Sequence, residues 1–303
     1  MLQAAPTFGS DGSLRVGIVH GAESGPVLAV VAGVHGSEYA GIEAATRLYR
    51  DVEAQRLRGT IIVVPTANPA AFAARVAHIN PVDGQNLNRV FPGDGGKTVS
   101  YRIARTLMRE VALRCDALVD LHGADLGEAM VPCVTALDHG QGEGDEATLA
   151  MASVYGTEFV RTRPASSARG TFGGEVRALG TPAIMCELGA GGSFEEADID
   201  AHCRGLRNVL RSLAMLEGAQ EPGPPQRVAI GEELIVAEQG GVFHPRVQPR
   251  AEVRTGDVVA DVTDEWGTVL ERHHAVHDGV VRLIFLRRVV QPGNPLLATM
   301  LFA

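Results

Sequence analysis

Two hydrophobic periods alternate along the first two-thirds of the chain. Short apolar runs rich in β-branched residues, such as Val27-Leu-Ala-Val-Val-Ala-Gly-Val34, read as buried strands of a parallel or mixed sheet. Stretches with apolar residues at helical spacing separate them. The pattern predicts strands over 14–20, 26–34, 60–65, 117–121, 130–136, 157–161 and 182–187. It predicts helices over 38–56, 99–114, 145–155 and 194–216. Such alternation implies an α/β layer fold, in which ligands bind beyond the carboxyl ends of the strands. His35, His122 and Glu187 all fall at such ends.

The pattern changes after residue 217. Glu217 to Gln226 reads EGAQEPGPPQ, with three prolines, two glycines and no large apolar residue, which marks a linker. Short apolar alternations broken by Gly, Pro and Asp follow, as in Asp278-Gly-Val-Val-Arg-Leu-Ile-Phe. We therefore expect two domains, 1–217 of α/β type and 227–303 all-β, with no helix in the second.

Composition narrows the function classes. The net charge is −9 over 303 residues, which argues against a nucleic-acid partner. Lys97 is the only lysine and lies in a Gly-rich loop, so Schiff-base catalysis is not expected. None of Cys115, Cys133, Cys186 and Cys203 is in CxxC spacing; buried free thiols in a reducing, cytoplasmic compartment fit that pattern. The first residues lack a basic segment, and no apolar run approaches about 18 residues, so neither a signal peptide nor a membrane span is expected.

Chemistry concentrates in four short motifs. His35-Gly-Ser-Glu38 follows the 26–34 strand, and Asp120-Leu-His122-Gly follows another apolar run. Two histidines and one carboxylate, with a fourth position open to water, is the usual recipe for catalytic zinc. Taken alone, HxxE is weak, and strand-end histidines with ordinary hydrogen bonds are the bland alternative. Asn86-Leu-Asn-Arg-Val-Phe-Pro-Gly93 offers Asn88 and Arg89, either as a fork for a carboxylate or as loop residues that bond backbone carbonyls. Glu187, at the end of Met185-Cys-Glu-Leu-Gly189, is either a general base beside a metal-activated water or a loop cap. Arg177 can point into the same mouth or form a salt bridge elsewhere. His273, His274 and His277 read as a solvated hairpin, because adjacent strand residues face opposite ways. His20, His139, His202 and His244 read as structural.

Together HGSE, NLNRVFPG, DLHG and ELG resemble the succinylglutamate desuccinylase/aspartoacylase family, deacylases of the zinc carboxypeptidase-like fold. The resemblance implies a three-layer domain with a mixed sheet, followed by a small barrel-sandwich-like β domain. It implies Zn2+ held by His35, Glu38 and His122, with Glu187 as the catalytic glutamate. It implies that Asn88 and Arg89 bind a substrate carboxylate, and that Arg177, ten residues before Glu187, is a further anion-binding arginine. Many relatives carry a carbonyl-polarising arginine just before the Pro81-Val-Asp-Gly84 turn. This chain has His78 there and Arg75 three residues earlier, and either can supply the oxyanion donor. The β domain resembles a biotinyl/lipoyl carrier fold but has no lysine, which excludes a carrier role.

The implied function is zinc-dependent hydrolysis of a small N-acyl amino acid by an enzyme without nucleic-acid or membrane partners. A homo-oligomer, at least a dimer, is expected from its exposed sheet edges. A zinc carboxypeptidase of short peptides would use the same metal site with an open cleft. A non-catalytic metal-binding scaffold would not need Glu187. A serine or cysteine amidase lacks a G-x-S-x-G elbow here.

Overall fold

A computed structural model describes residues 13–138 and 143–303. The N-terminal residues read for a signal peptide, and His139, lie outside the described residues. The first part contains β1 (Gly17–His20), β2 (Glu23–Ala32), α1 (Tyr39–Asp51), β3 (Arg58–Val64), α2 (Pro69–Ala74) and α3 (Val99–Glu110). It continues with β4 (Ala117–His122), β5 (Glu128–Met130), β6 (Cys133–Asp138), α4 (Glu143–Tyr155), β7 (Phe159–Pro164), α5 (Phe172–Ala178), β8 (Ala183–Glu187) and α6 (Glu196–Ser212). The remainder is strands alone among the described residues: β9 (Arg227–Ala229), β10 (Gly231–Val236), β11 (Gly241–Pro245), β12 (Glu252–Val253), β13 (Val258–Thr263), β14 (Val269–His274), β15 (Gly279–Phe285), β16 (Val289–Val290) and β17 (Pro295–Leu301).

Eight strands form one mixed sheet in the order β1-β3-β2-β4-β8-β6-β7-β9. Only β1 against β3 and β6 against β8 run antiparallel in it. Leu28, Val30, Val119, Leu121 and Cys186 pack on one face under α1, α4 and α6. Ala29, Val31, Leu118 and Ala183 pack on the other under α3, α5 and the Leu87–Phe91 loop. The central strands are buried on both faces, which is why they read as unbroken apolar runs.

Two helices escape the periodic signal for a local reason. Asn68 caps α2 by accepting from the Ala71 N–H, with Pro69 in the first turn, but only six residues follow. In α5 the Thr171 hydroxyl accepts from Gly174 N–H, and the paired Gly173 and Gly174 hide the helix, since glycine is a poor helix former. A Cβ at Gly174 would meet the Ala168 carbonyl oxygen at 2.0 Å, so the helix needs glycine there.

The β-rich part has a four-stranded sheet, β14-β13-β11-β16, and a second built on β10-β17-β15-β12. Phe243, Val259, Val262, Val281, Ile284, Leu296 and Leu297 share a core between them. Strands cross the boundary in both directions. Arg227–Ala229 pairs with Phe159–Arg161 in the large sheet, and Glu128–Met130 pairs with Leu283–Phe285 in the second sheet. A carboxylate ties the same seam: Glu232 of β10 binds Arg161 of β7 and Arg282 of β15.

Burial by itself would raise the Glu232 carboxyl. The Arg161 and Arg282 charges outweigh it and hold the group at about 2, against 4.5. A depressed carboxyl stabilises the fold above its unfolded pKa and loses that contribution as pH falls toward the folded one. Glu232→Gln is expected to cost about 3 kcal/mol at pH 7, since it leaves two buried guanidinium groups without their counterion. In urea unfolding at pH 7, 5 and 3 the deficit should shrink toward the lowest pH. Wild-type stability in the variant at pH 7 would show that the clamp is dispensable.

Candidate metal centre and active site

The site forms where the central strands end. β2 stops at Ala32, and the turn at Gly33, with φ +65°, sends the chain across the sheet top toward Thr66. Gly36 then lies against α2: a Cβ there would meet the Ala71 carbonyl carbon at 2.2 Å. This close approach folds the HGSE segment inward, and His35 and Glu38 are both buried. Glu38 immediately precedes α1. His122 is the last residue of β4 and stands in register with Glu187, the last residue of β8. Side chains in register on neighbouring strands project to the same face, so the sheet sets His122 and Glu187 side by side.

His35, Glu38 and His122 converge. Glu38 Oε1 lies 2.7 Å from His35 Nδ1, and Oε2 lies 2.9 Å from His122 Nδ1. The second contact is short but off the hydrogen-bond direction, so Oε2 is buried without a donor. One ligand atom from each of the three residues falls within 4.8 Å of the others. Burial opposes the charge on Glu38, yet the two imidazoles outweigh it and hold the carboxyl at about 2, against 4.5. His122 is likewise disfavoured by burial but pushed well above its usual range by Glu38 and Asp120. Three convergent donors and an orphaned carboxylate oxygen, with positive charge favoured among them, fit a divalent cation. Asp120 completes the group from behind. It is fully buried, and its Oδ2 lies 3.3 Å from His122 Nε2, on the side away from Glu38.

Other residues named from the sequence scatter more widely. Asn88 is buried and its Oδ1 accepts from Phe172 N–H, which joins the NLNR turn to α5. Arg89 is exposed and donates from Nη1 to the Asn88 carbonyl. Its neighbour Asn86 places Oδ1 3.3 Å from His35 Nε2, a contact the sequence reading did not foresee. Glu187 is half-buried at the site mouth.

His78 stands edge-on to His35, with ring centroids 4.8 Å apart. Both its nitrogens face carboxylates, Nδ1 toward Asp125 and Nε2 toward Glu128, each at 3.2 Å. The Glu128 bond raises its pKa against the effect of burial, with Asp125 adding to the rise. Neither nitrogen is left to meet a substrate oxyanion, so the donor role expected of His78 is not supported. Arg75, the alternative, is exposed at the left-handed end of α2.

Arg177 is not in the mouth. Its side chain is 2% exposed and binds Asp145, the Leu137 carbonyl at 3.0 Å and the Thr181 carbonyl at 3.2 Å. Those partners lie where β8 begins, whereas Glu187 is where it ends. The ten-residue spacing spans the length of β8 and returns α5 to the opposite edge of the sheet. The anion-binding role expected of Arg177 is therefore corrected to a buried structural one.

The remaining histidines and cysteines have ordinary settings. His20 bonds Thr60, His202 bonds Tyr155, His244 bonds Thr263 and His273 bonds Glu271. Burial lowers His202 to about 4. All four cysteines are free, and Cys115, Cys133 and Cys186 are buried.

Residues 24–213 match the succinylglutamate desuccinylase/aspartoacylase catalytic domain. The chain belongs to this deacylase family. It is 30% identical over 264 residues to the N-alpha-acetyl-L-2,4-diaminobutyric acid deacetylase of Halomonas elongata, covering 85% of this chain and 77% of that one. The succinylglutamate desuccinylase/aspartoacylase of Rhodobacter sphaeroides superposes with a TM-score of 0.88 at 26% identity, over 96% of this chain and 89% of its own. The product-bound ectoine utilization protein EutE (DoeB) of Ruegeria pomeroyi gives 0.87 at 25%, over 94% and 88%. At 94% and 96% of this chain, the likeness reaches into the β-rich part.

Asp120→Asn should weaken zinc binding about 10- to 100-fold, the usual effect of removing a partner that orients a metal-bound imidazole. Competition with a chromophoric chelator measures it. Unchanged affinity would mean that Asp120 does not act on the ion through His122.

Proposed function

We propose that this protein is a zinc-dependent hydrolase that cleaves the amide bond of a small N-acyl amino acid. The observation that carries the reading is the convergence of His35, Glu38 and His122 with Glu187 in register beside them. Family membership and the deacetylase relative support the same chemistry. The free thiols and acidic charge suit a cytoplasmic enzyme with a small-molecule substrate.

In this reading His35, Glu38 and His122 hold the ion. Bound zinc supplies a water with pKa lowered toward about 7 and polarises a carbonyl. Glu187 accepts the proton of the attacking water and then delivers it to the departing amine nitrogen. One group serves both transfers because the proton it gains in addition is the one it gives up in collapse. Asn88 fixes the turn that presents Arg89, and Arg89 swings from the Asn88 carbonyl to a substrate carboxylate. Fixed orientation of that kind removes several kcal/mol from such a barrier. His78 holds the Asp125–Glu128 strap, and through it the edge of the β-rich part, against the metal ligands. The 1–217 span is the catalytic domain in this account, and 227–303 walls the mouth. That wall favours small substrates over the peptides of a carboxypeptidase.

Glu187→Gln is the direct test. Turnover of N-acyl amino acids should fall about 10²–10⁴-fold, while zinc content stays near one ion per chain. Retention of more than about a tenth of the activity would assign the proton transfers to another residue.

A further inference from the structure

Helix α6 sends one polar side chain into the apolar layer beneath the site. Ile199, His202 and Leu206 are spaced by three and four residues, so they share a helix face. Ile199 and Leu206 belong to the core that also holds Leu121, Cys186 and Leu188. Those three residues flank His122 and Glu187 along the chain, where β4 and β8 end. Neighbouring strand residues point to opposite faces. His202 therefore approaches the ends of β4 and β8 from the sheet face opposite the His122 and Glu187 side chains.

The two strand ends come to backbone contact at this place. Leu188 N–H donates to the His122 carbonyl at 3.2 Å, and a Cβ at Gly123 would meet the Leu188 carbonyl oxygen at 2.6 Å. Helix α6 passes close beneath: a Cβ at Gly189 would lie 3.8 Å from Asp198 Oδ2, one turn before His202. His202 is 0% exposed, and its Nδ1 lies 2.7 Å from the Tyr155 hydroxyl. Tyr155 is itself held against Gly205, where a Cβ would meet the ring at 2.5 Å. The second nitrogen, Nε2, is buried and has no partner at hydrogen-bond geometry. The backbone carbonyls of Leu188 and His122 face it.

Buried polar atoms in folded proteins have partners, and these carbonyls are the acceptors this nitrogen faces. Full burial disfavours the charged ring, so one nitrogen carries the proton. A nitrogen that faces two carbonyl oxygens is the one that carries it. Nδ1 then accepts from the Tyr155 hydroxyl. His122 and Glu187 are the last pair of the β4–β8 ladder, so a restraint at this point acts on both.

We propose that His202 is a positioning residue: its Nε2–H holds the His122 and Leu188 carbonyls and so fixes the spacing of the metal ligand from Glu187. It touches neither the ion nor the substrate. The effect on turnover rests on the deacylase reading above, whereas the effect on metal geometry does not. A shift of about 1 Å between reacting groups is enough to cost about 10²-fold in rate.

The test compares wild type with His202→Gln, whose side-chain N–H can stand in for Nε2–H, and His202→Met, which fills the space without a donor. Each is loaded with zinc for kinetics on Nα-acetyl-L-2,4-diaminobutyrate and N-acetyl-L-glutamate, and with cobalt(II) for its visible d–d spectrum. His202→Met should lose about 10- to 100-fold in kcat, with KM changed less than about threefold, and should shift the cobalt spectrum. His202→Gln should recover most of the rate and the wild-type spectrum. Melting temperature reports whether each variant folds. Nitrogen-15 NMR of the zinc-loaded wild type gives the tautomer even if neither variant does, and His202 should be in the Nε2–H form. An Nδ1–H ring overturns the proposal. So does a folded His202→Met with wild-type kcat and spectrum, or a His202→Gln as impaired as His202→Met, which would make His202 a packing residue alone. A wild type that cleaves neither compound, with a cobalt spectrum that still separates Met from Gln, keeps the positioning role and removes the deacylase reading.

Discussion

A buried carboxylate between two buried imidazoles is the constraint on which the rest of this structure depends. Glu38 has almost no contact with water and would be expelled or neutralised without positive charge around it. The His35 and His122 imidazoles lie against its two oxygens, and Asp120 stands behind His122. The arrangement requires a strand end, a tight glycine turn and a helix start within a few residues. It also requires a second strand whose last residue is histidine. The parallel part of the sheet brings these ends to one edge, and the layered helices keep water from the back of the group.

The second constraint lies at the seam. Each part of the chain gives a strand to the other part's sheet, so the boundary is built of backbone hydrogen bonds as well as side chains. Glu232 neutralises arginines from both sides of it. The strap that carries Asp125 and Glu128 pairs with the β-rich sheet at one end and fixes His78 beside His35 at the other. A short run of contacts thus joins the β-rich sheet to His35.

Much of this is legible in the sequence, for identifiable reasons. Strands buried on both faces leave continuous apolar runs, and active groups of α/β sheets lie at their carboxyl ends, so His35, His122 and Glu187 could be placed before any coordinates. Asp120 was within reach too: it lies two positions before His122 and therefore shares its face. What the sequence hides is direction and long-range contact. The spacing of Arg177 from Glu187 is visible, but not that α5 carries it back to where β8 begins. Asn86 meets His35 only because the 66–98 loops wrap across the sheet top, and no periodicity reports such a path. The charge of Arg161 within an apolar strand is plain in the chain. Its meaning needs Glu232 and Arg282, which come from the far side of the linker.

The proposed chemistry requires one ion held by His35, Glu38 and His122. Anomalous diffraction at the zinc edge from crystals of the zinc-loaded protein tests this most directly. It should show a single peak within about 2.0–2.2 Å of one atom from each of the three side chains. A well-occupied peak at another cluster, or none at these residues in saturating zinc, would contradict it.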